Sequence, residues 1–165
     1  MEKTVSPIRP STEPRILSRG DLDHVIDSKL SREEAAQYLA RIRIDDYSVP
    51  DPNTNWTYAS IGGGLSVYFF SYRARFFILL LVDGQDGVSS CADIVVIVRP
   101  TAEYELGMGP VEIDNDHLDG EVIVVHSRKW KGNYTDDIIA AYKPNAQTKR
   151  LDAAEYRSIR IYREG

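Results

Sequence analysis

The stretch RFFILLLV, residues 75–82, is the part of the sequence that decides the fold. Apolar side chains occupy both alternating positions from residue 76 to residue 82, and residues 94–98, IVVIV, repeat the pattern. A strand that is apolar on both faces is usually central in its sheet and is covered by a helix or by a second sheet. The two stretches therefore predict a buried β-sheet at the core of the protein.

Further β-type segments lie on both sides of these two stretches. Turn residues separate them at short intervals, which favours antiparallel pairing because a parallel crossover needs a dozen or more residues. The predicted strands span residues 56–60, 65–71, 75–82, 92–99, 121–127, 138–142 and 156–162. Residues 143–149, KPNAQTK, are predicted to form a hairpin loop that leads to the final strand.

A helix is predicted before the strands, over residues 31–43. Ser31 stands three positions before Glu34, which is the spacing of a capping box. An apolar stripe follows at helical spacing, and it consists of Ala35, Tyr38, Leu39 and Ile42. A shorter helix is predicted over residues 21–30. We expect the longer helix to pack Tyr38, Leu39 and Ile42 against the sheet that contains residues 76–82.

Together these elements predict an α+β fold with N-terminal helices followed by a predominantly antiparallel sheet of about six or seven strands. The chain has 165 residues, of which 42% are hydrophobic and 27% are charged. This composition is typical of one globular domain, predicted over residues 16–165, after a flexible, proline-containing arm over residues 1–15. The longest apolar run is too short for a membrane helix of about 20 residues. We expect a cytoplasmic protein, or a periplasmic one if a leader was removed.

The acidic residues are concentrated in the middle of the chain. The formal net charge is −5, and residues 83–121 contain ten acidic residues and a single basic one, Arg99. Residues 122–165 contain nine basic and five acidic residues. An acidic domain repels the phosphate backbone of nucleic acids, so nucleic-acid binding is disfavoured. The concentration of acidic residues in this segment favours a basic protein partner, because a surface patch of one charge sign steers association and suppresses wrong partners.

Two aspartate-rich loops, residues 83–93 and 114–121, are the candidates for a metal site. Calcium needs several oxygen ligands on a tightly turning loop, and the candidate ligands are Asp83, Asp86, Asp114, Asp116 and Asp119. Neither loop has the EF-hand spacing, and Asp, Asn and Gly are also the ordinary residues of hairpin turns. The sequence therefore favours turns here, and it leaves a calcium-binding, ligand-binding or enzymatic domain as the alternative.

No sequence motif identifies an enzyme. Cys91 opens a hydrophobic strand without an activating neighbour, which is typical of a small buried residue. The three histidines, His24, His117 and His126, do not have the spacing of metal ligands. The glycines at 62–64 precede a strand, whereas a phosphate-binding loop requires a lysine and a helix there. We therefore favour a protein that is not an enzyme and needs no cofactor, calcium remaining the alternative.

Aromatic residues provide the last indication of function. The chain has ten tyrosines and two tryptophans, and such rings are enriched both at protein interfaces and on half-buried sheet faces. The sequence predicts a small, acidic, non-enzymatic interaction protein that binds a basic partner, such as an inhibitor or a toxin-neutralising (immunity-type) protein. The predicted partner-binding residues are Asp114, Asp116, Asp119, Glu121, Trp130 and Tyr134.

Overall fold

A computed structural model describes residues 15–44, 56–84, 88–118 and 122–163. Within these ranges the chain forms two helices, α1 (Arg19–Asp27) and α2 (Arg32–Leu39), and fourteen strands. The strands are β1 (Arg15–Ile16), β2 (Ile42–Arg43), β3 (Trp56–Gly62), β4 (Leu65–Tyr72), β5 (Arg75–Asp83), β6 (Ser89–Val98), β7 (Tyr104–Met108), β8 (Val111–Ile113), β9 (Asp116–Leu118), β10 (Ile123–Ser127), β11 (Tyr134–Thr135), β12 (Ile138–Asn145), β13 (Arg150–Ala153) and β14 (Ile159–Tyr162). None of the helices in these ranges is long and apolar enough to span a membrane.

Both helices begin with a capping box. The predicted one at Ser31 is confirmed, since its hydroxyl accepts the Glu34 N–H and the Glu34 carboxylate accepts the Ser31 N–H. The predicted end of this helix at residue 43 is wrong. The helix ends at Leu39, and Ile42 lies in β2, which pairs in parallel with β1. The side chain of Ile42 would be buried whether this segment were a helix or a strand. The apolar pattern therefore does not distinguish the two.

The first sheet consists of four consecutive antiparallel strands in the order β3-β4-β5-β6. Gly63 and Gly64 form the turn between β3 and β4 with positive φ angles of 65° and 75°, which confirms that this glycine run is a turn. One face of the sheet packs against the helices, where Phe77 and Leu79 meet Leu39 in a single cluster of buried residues. The expectation that α2 packs against residues 76–82 is thus confirmed.

The other face of the first sheet packs against a second sheet, β13-β12-β10-β7. Successive side chains of a strand point to opposite faces, so Ile123 of β10 joins the cluster with the first sheet while Val124 packs against a third sheet. The third sheet has the order β11-β14-β8-β9. All five residues of β10 are buried. The layers therefore run from the helices through the first and second sheets to the third.

The predicted fold class, α+β with one antiparallel sheet of about six or seven strands, is wrong. The described residues are mostly β, and their strands divide among four sheets, none with more than four strands. The prediction assumed that all strands following one another in sequence join one sheet, which holds for the four strands from β3 to β6 but elsewhere only for pairs of neighbours such as β8–β9 and β12–β13. Beyond β6 the chain alternates between two sheets, because β7 pairs with β10 while β8 pairs with β9 and β14. Antiparallel pairing itself is confirmed in all three large sheets.

Two further boundaries differ from the prediction. β12 continues to Asn145, so the loop expected over residues 143–149 shortens to the turn 146–149, which leads into β13. The arm predicted over residues 1–15 lies outside the described residues except for Arg15, which begins β1. The single domain predicted over residues 16–165 stays a prediction.

Candidate functional site

The β8–β9 hairpin places two of the predicted site residues, Asp114 and Asp116. Asp114 and Asn115 form a two-residue turn with positive φ angles of 49° and 73°, so the turn predicted here is confirmed. The Asp114 carboxylate accepts the backbone N–H groups of Ser158 and Arg157 at 2.8 and 2.9 Å. These two hydrogen bonds hold the pKa of Asp114 below its ordinary value. Asp114 thus fastens the hairpin to the segment that precedes β14.

The other predicted metal ligands do not join this hairpin. Asp83 ends β5 in the first sheet, where the Ser66 hydroxyl donates to its carboxylate at 2.6 Å. Asp86, Asp119 and Glu121 lie outside the described residues. In the parts of the chain that the structure describes, no group of three or more His, Cys, Asp or Glu side chains is arranged to hold a metal ion.

Three of the seven described acidic residues in segment 83–121 are paired with bases from elsewhere in the chain. Glu103 lies 3.4 Å from the Lys129 ammonium, and Glu105 lies 3.3 Å from Arg128 Nε. Asp93 is buried and forms an ion pair with Arg32 of α2, which lies 61 positions earlier in the sequence. Asp116 is exposed, and no described side chain forms an ion pair with it. The segment therefore presents a smaller acidic surface than its charge count indicates.

The outward face of the third sheet carries a row of aromatic and charged side chains that crosses all four strands. We call Tyr134 of β11, Arg160 and Tyr162 of β14, Glu112 of β8 and His117 of β9 the outer row. Their neighbours Ile159 and Ile161 on β14 point inward and are buried, so the alternation of that strand creates the row.

Contacts link the outer row from end to end. The guanidinium carbon of Arg160 lies 4.6 Å from the centroid of the Tyr134 ring. The Tyr162 hydroxyl donates to a Glu112 carboxylate oxygen at 3.0 Å, and His117 Nε2 lies 3.4 Å from the same oxygen. Because each member holds its neighbour, the row loses little side-chain freedom when a partner covers it.

A cleft of about 320 Å³ opens beside the outer row, at the edge of β7. Tyr162 belongs to both features, because it also lines this cleft. Trp130 lies within it between two neighbours, with ring centroids 5.2 Å from His126 and 5.1 Å from the guanidinium carbon of Arg163. The structure thus brings the predicted anchor Tyr134 into the outer row, whereas the predicted anchor Trp130 is half-buried in the cleft.

His126 is buried at the base of this cleft, and its ring faces a glycine. Its Nδ1 donates to the Ser127 carbonyl at 2.8 Å. A Cβ at Gly107 would lie 2.6 Å from His126 Nε2 and 2.9 Å from Cδ2, closer than real Cβ contacts. The close approach of β7 to the ring therefore requires glycine at this position.

Gly107→Ala should lower the free energy of unfolding by about 1–3 kcal/mol, because the added methyl group would clash with the buried ring of His126. Gly109→Ala is the matched control, since its Cβ would meet its nearest neighbour at an ordinary 3.7 Å. Urea unfolding of both variants measures the difference. Equal stability of the two variants would contradict the packing of His126 against β7.

Cys91 has no nucleophilic character in this fold. Burial raises the pKa of its thiol to about 12, and Sγ donates to the Asp93 carbonyl at 3.3 Å. A thiol that stays protonated is a poor nucleophile. The interpretation of Cys91 as a small buried residue is confirmed.

Sequence reasoning missed four members of the outer row. Arg160 and Tyr162 had a usable signal, because they alternate with Ile159 and Ile161 in a predicted strand. Glu112 and His117 had none, since β8 and β9 have only three residues each. Comparisons with models of protein families, with curated proteins and with solved structures found no match for this chain.

Proposed function

We propose that the protein is a non-enzymatic binding protein that holds a basic protein partner on the outer row. The observation that carries the proposal is the row itself, in which tyrosine rings and an arginine are already held in place by their neighbours. Tyr and Arg are enriched among the residues that dominate binding energy at interfaces. His117 is exposed, and Tyr134, Arg160 and Tyr162 are partly exposed, so a partner can reach them.

The charge around the row supports a basic partner. The β8–β9 hairpin adds the exposed carboxylate of Asp116 at the edge of the third sheet, one residue before His117, and the whole chain has a net charge of −5. Asp119 and Glu121 follow the hairpin in sequence but lie outside the described residues, so their part in the contact stays a prediction. Arg160 lies toward the opposite end of the row, so a fitting partner presents bases to the hairpin and an acceptor to Arg160.

The first test is a pull-down from an extract of the native source, with three forms of the chain immobilised in parallel. Tyr134→Ala should lose the captured partner that the wild-type chain retains, because it removes a ring from the row. Tyr58→Ala is the matched control, since Tyr58 is 37% exposed but lies on β3 of the first sheet. Equal capture by all three forms would rule out the outer row as the binding surface.

Surface plasmon resonance with the isolated partner then distinguishes electrostatic steering, which changes the association rate, from short-range contact, which changes the dissociation rate. Asp116→Lys should slow association by about tenfold at low salt, with a smaller effect near 1 M, where the Debye length is about 3 Å. Asp152→Lys, an equal reversal on the distant strand β13, should leave association unchanged. Tyr134→Ala should instead raise the dissociation rate by tenfold or more, as about 1.4 kcal/mol of lost contact implies. A partner whose association responds equally to both reversals is not steered by the hairpin.

A further inference from the structure

A cavity of about 350 Å³ lies between the helices and the edge strand β6, away from the outer row. Its size is at the lower end of the range for small-molecule sites, about 300–1,000 Å³. Apolar side chains form its walls, and they include Val25, Ile26, Leu30, Ala35, Ile94 and Val96. Three polar residues, Arg32, Arg75 and Tyr142, also line it. Among the described residues that line the cavity, none is acidic.

Arg32 is held in a fixed position by a buried carboxylate. Its Nε donates to Asp93 Oδ1 at 2.7 Å, and its Nη2 contacts both Asp93 Oδ2 and the Leu151 carbonyl. Asp93 is only 2% exposed and also accepts the backbone N–H groups of Ile94 and Leu151 at 2.9 and 2.7 Å. The guanidinium is therefore oriented before any ligand arrives. Within the described residues, no acceptor contacts its remaining nitrogen, Nη1.

Arg75 and Tyr142, the two other polar residues, also have donor groups without an acceptor among the described residues. Arg75 donates only to the Arg73 carbonyl, at 3.2 Å, among the residues that the structure describes. In the same residues the Tyr142 hydroxyl has no hydrogen-bond acceptor. Donors that face a cavity without acceptors attract an anion, and each of these three can donate a charge-assisted hydrogen bond to a carboxylate. The apolar walls then require an apolar body attached to that carboxylate.

We propose that this cavity binds a small amphipathic carboxylate, whose head accepts hydrogen bonds from Arg32, Arg75 and Tyr142. Its apolar body lies along the walls formed by α1, the segment after it and β6. The site shares no residue with the outer row, so it stands independently of the protein-binding function proposed above. Asp93 is a positioning residue here, because it acts on the ligand only through Arg32.

Isothermal titration calorimetry with decanoate as the probe tests the proposal. Decanoate should bind one-to-one, acetate should bind at least tenfold more weakly because it lacks the apolar body, and decyltrimethylammonium should not bind because its head carries the wrong charge. Equal binding of decanoate and decyltrimethylammonium would show adsorption to apolar surface and overturn the proposal. Absence of decanoate binding would overturn it as well.

Variants of the two partly buried donors, Tyr142 and Arg75, locate the site without disturbing the pair of Arg32 and Asp93. Tyr142→Phe and Arg75→Gln should each weaken decanoate binding by about tenfold or more, because each removes a hydrogen bond to a charged group. Lys143→Gln is the charge control, since Lys143 is the exposed neighbour of Tyr142 on β12. It should bind decanoate like the wild type, as should Tyr134→Ala in the outer row. Unchanged affinity in both donor variants, with unfolding curves like those of the wild type, would place the carboxylate elsewhere.

Discussion

Arg32→Met is expected to lower the free energy of unfolding by about 3–5 kcal/mol, because it leaves the Asp93 carboxylate buried without its main counter-charge. Arg150 provides the only other nearby cation among the described residues, and its Nε lies 3.8 Å from Asp93 Oδ2. That distance is too long for a hydrogen bond, so Arg150 replaces little of what Arg32 supplies. Urea unfolding at neutral pH measures the loss.

A double variant is the control for this result. Arg32→Met combined with Asp93→Asn removes the charge but keeps an amide oxygen that can accept the Leu151 N–H. It should recover more than half of the stability that the single variant loses, because a buried neutral group costs less than a buried unpaired charge. A double variant no more stable than the single one would show that the penalty comes from lost packing of the Arg32 side chain.

The same pair sets part of the acid sensitivity of the protein. Burial raises the pKa of Asp93, but the hydrogen bonds from Arg32 and Leu151 lower that pKa by more than burial raises it. The pKa of Asp93 therefore lies below its ordinary value. A carboxyl whose pKa is lowered by folding stabilises the protein fully above its unfolded pKa of about 3.9. This contribution is lost as the pH falls through the folded pKa. Unfolding curves of the wild type should show that loss in acid, and those of the double variant should lack it.

Leu39→Ala is expected to lower the free energy of unfolding by about 2–5 kcal/mol. Leu39 is fully buried between α2 and the first sheet, where it shares a cluster with Leu22 and Phe77. Removing most of its side chain leaves a cavity that the sheet cannot fill. Ile139→Ala is the control, because Ile139 is 45% exposed on β12, and it should cost well under half as much. A loss below about 0.5 kcal/mol for Leu39→Ala would mean that α2 adds little to the core.

Local sequence patterns were sufficient to predict the first sheet, but they were insufficient to predict the second and third sheets. β5 and β6 contain the stretches that are apolar on both faces, follow one another closely and pair directly, so their sequence contains the whole signal. β7 is half-buried at every position and shows no alternation. Its partner β10 follows only after β8 and β9, which belong to another sheet. Pairing between distant short strands depends on how whole faces pack, and a local apolar pattern does not record that.

The candidate sites show the same division. Tyr134 was predicted as a contact residue from its type and position, and it lies in the outer row. Asp93 was counted in the acidic segment, yet it is the most enclosed of the described acids in that segment. Arg32, its partner, stands 61 positions earlier in the chain. A charge count gives the number of carboxylates, but whether each meets water or a guanidinium depends on contacts between remote segments.

The alternation of the chain between the second and third sheets sets the order in which the protein is completed during synthesis. The strands of the first sheet are neighbours in sequence, so that sheet can form soon after residue 98 has left the ribosome. β8 cannot pair with β14 until β14 has been synthesised, and Tyr162 of β14 lies 50 positions after Glu112 of β8. Until β14 arrives, Val124 and Ala141 lack the isoleucines that cover them. The nascent chain therefore carries an apolar face of the kind that chaperones bind until residues 159–162 have been made.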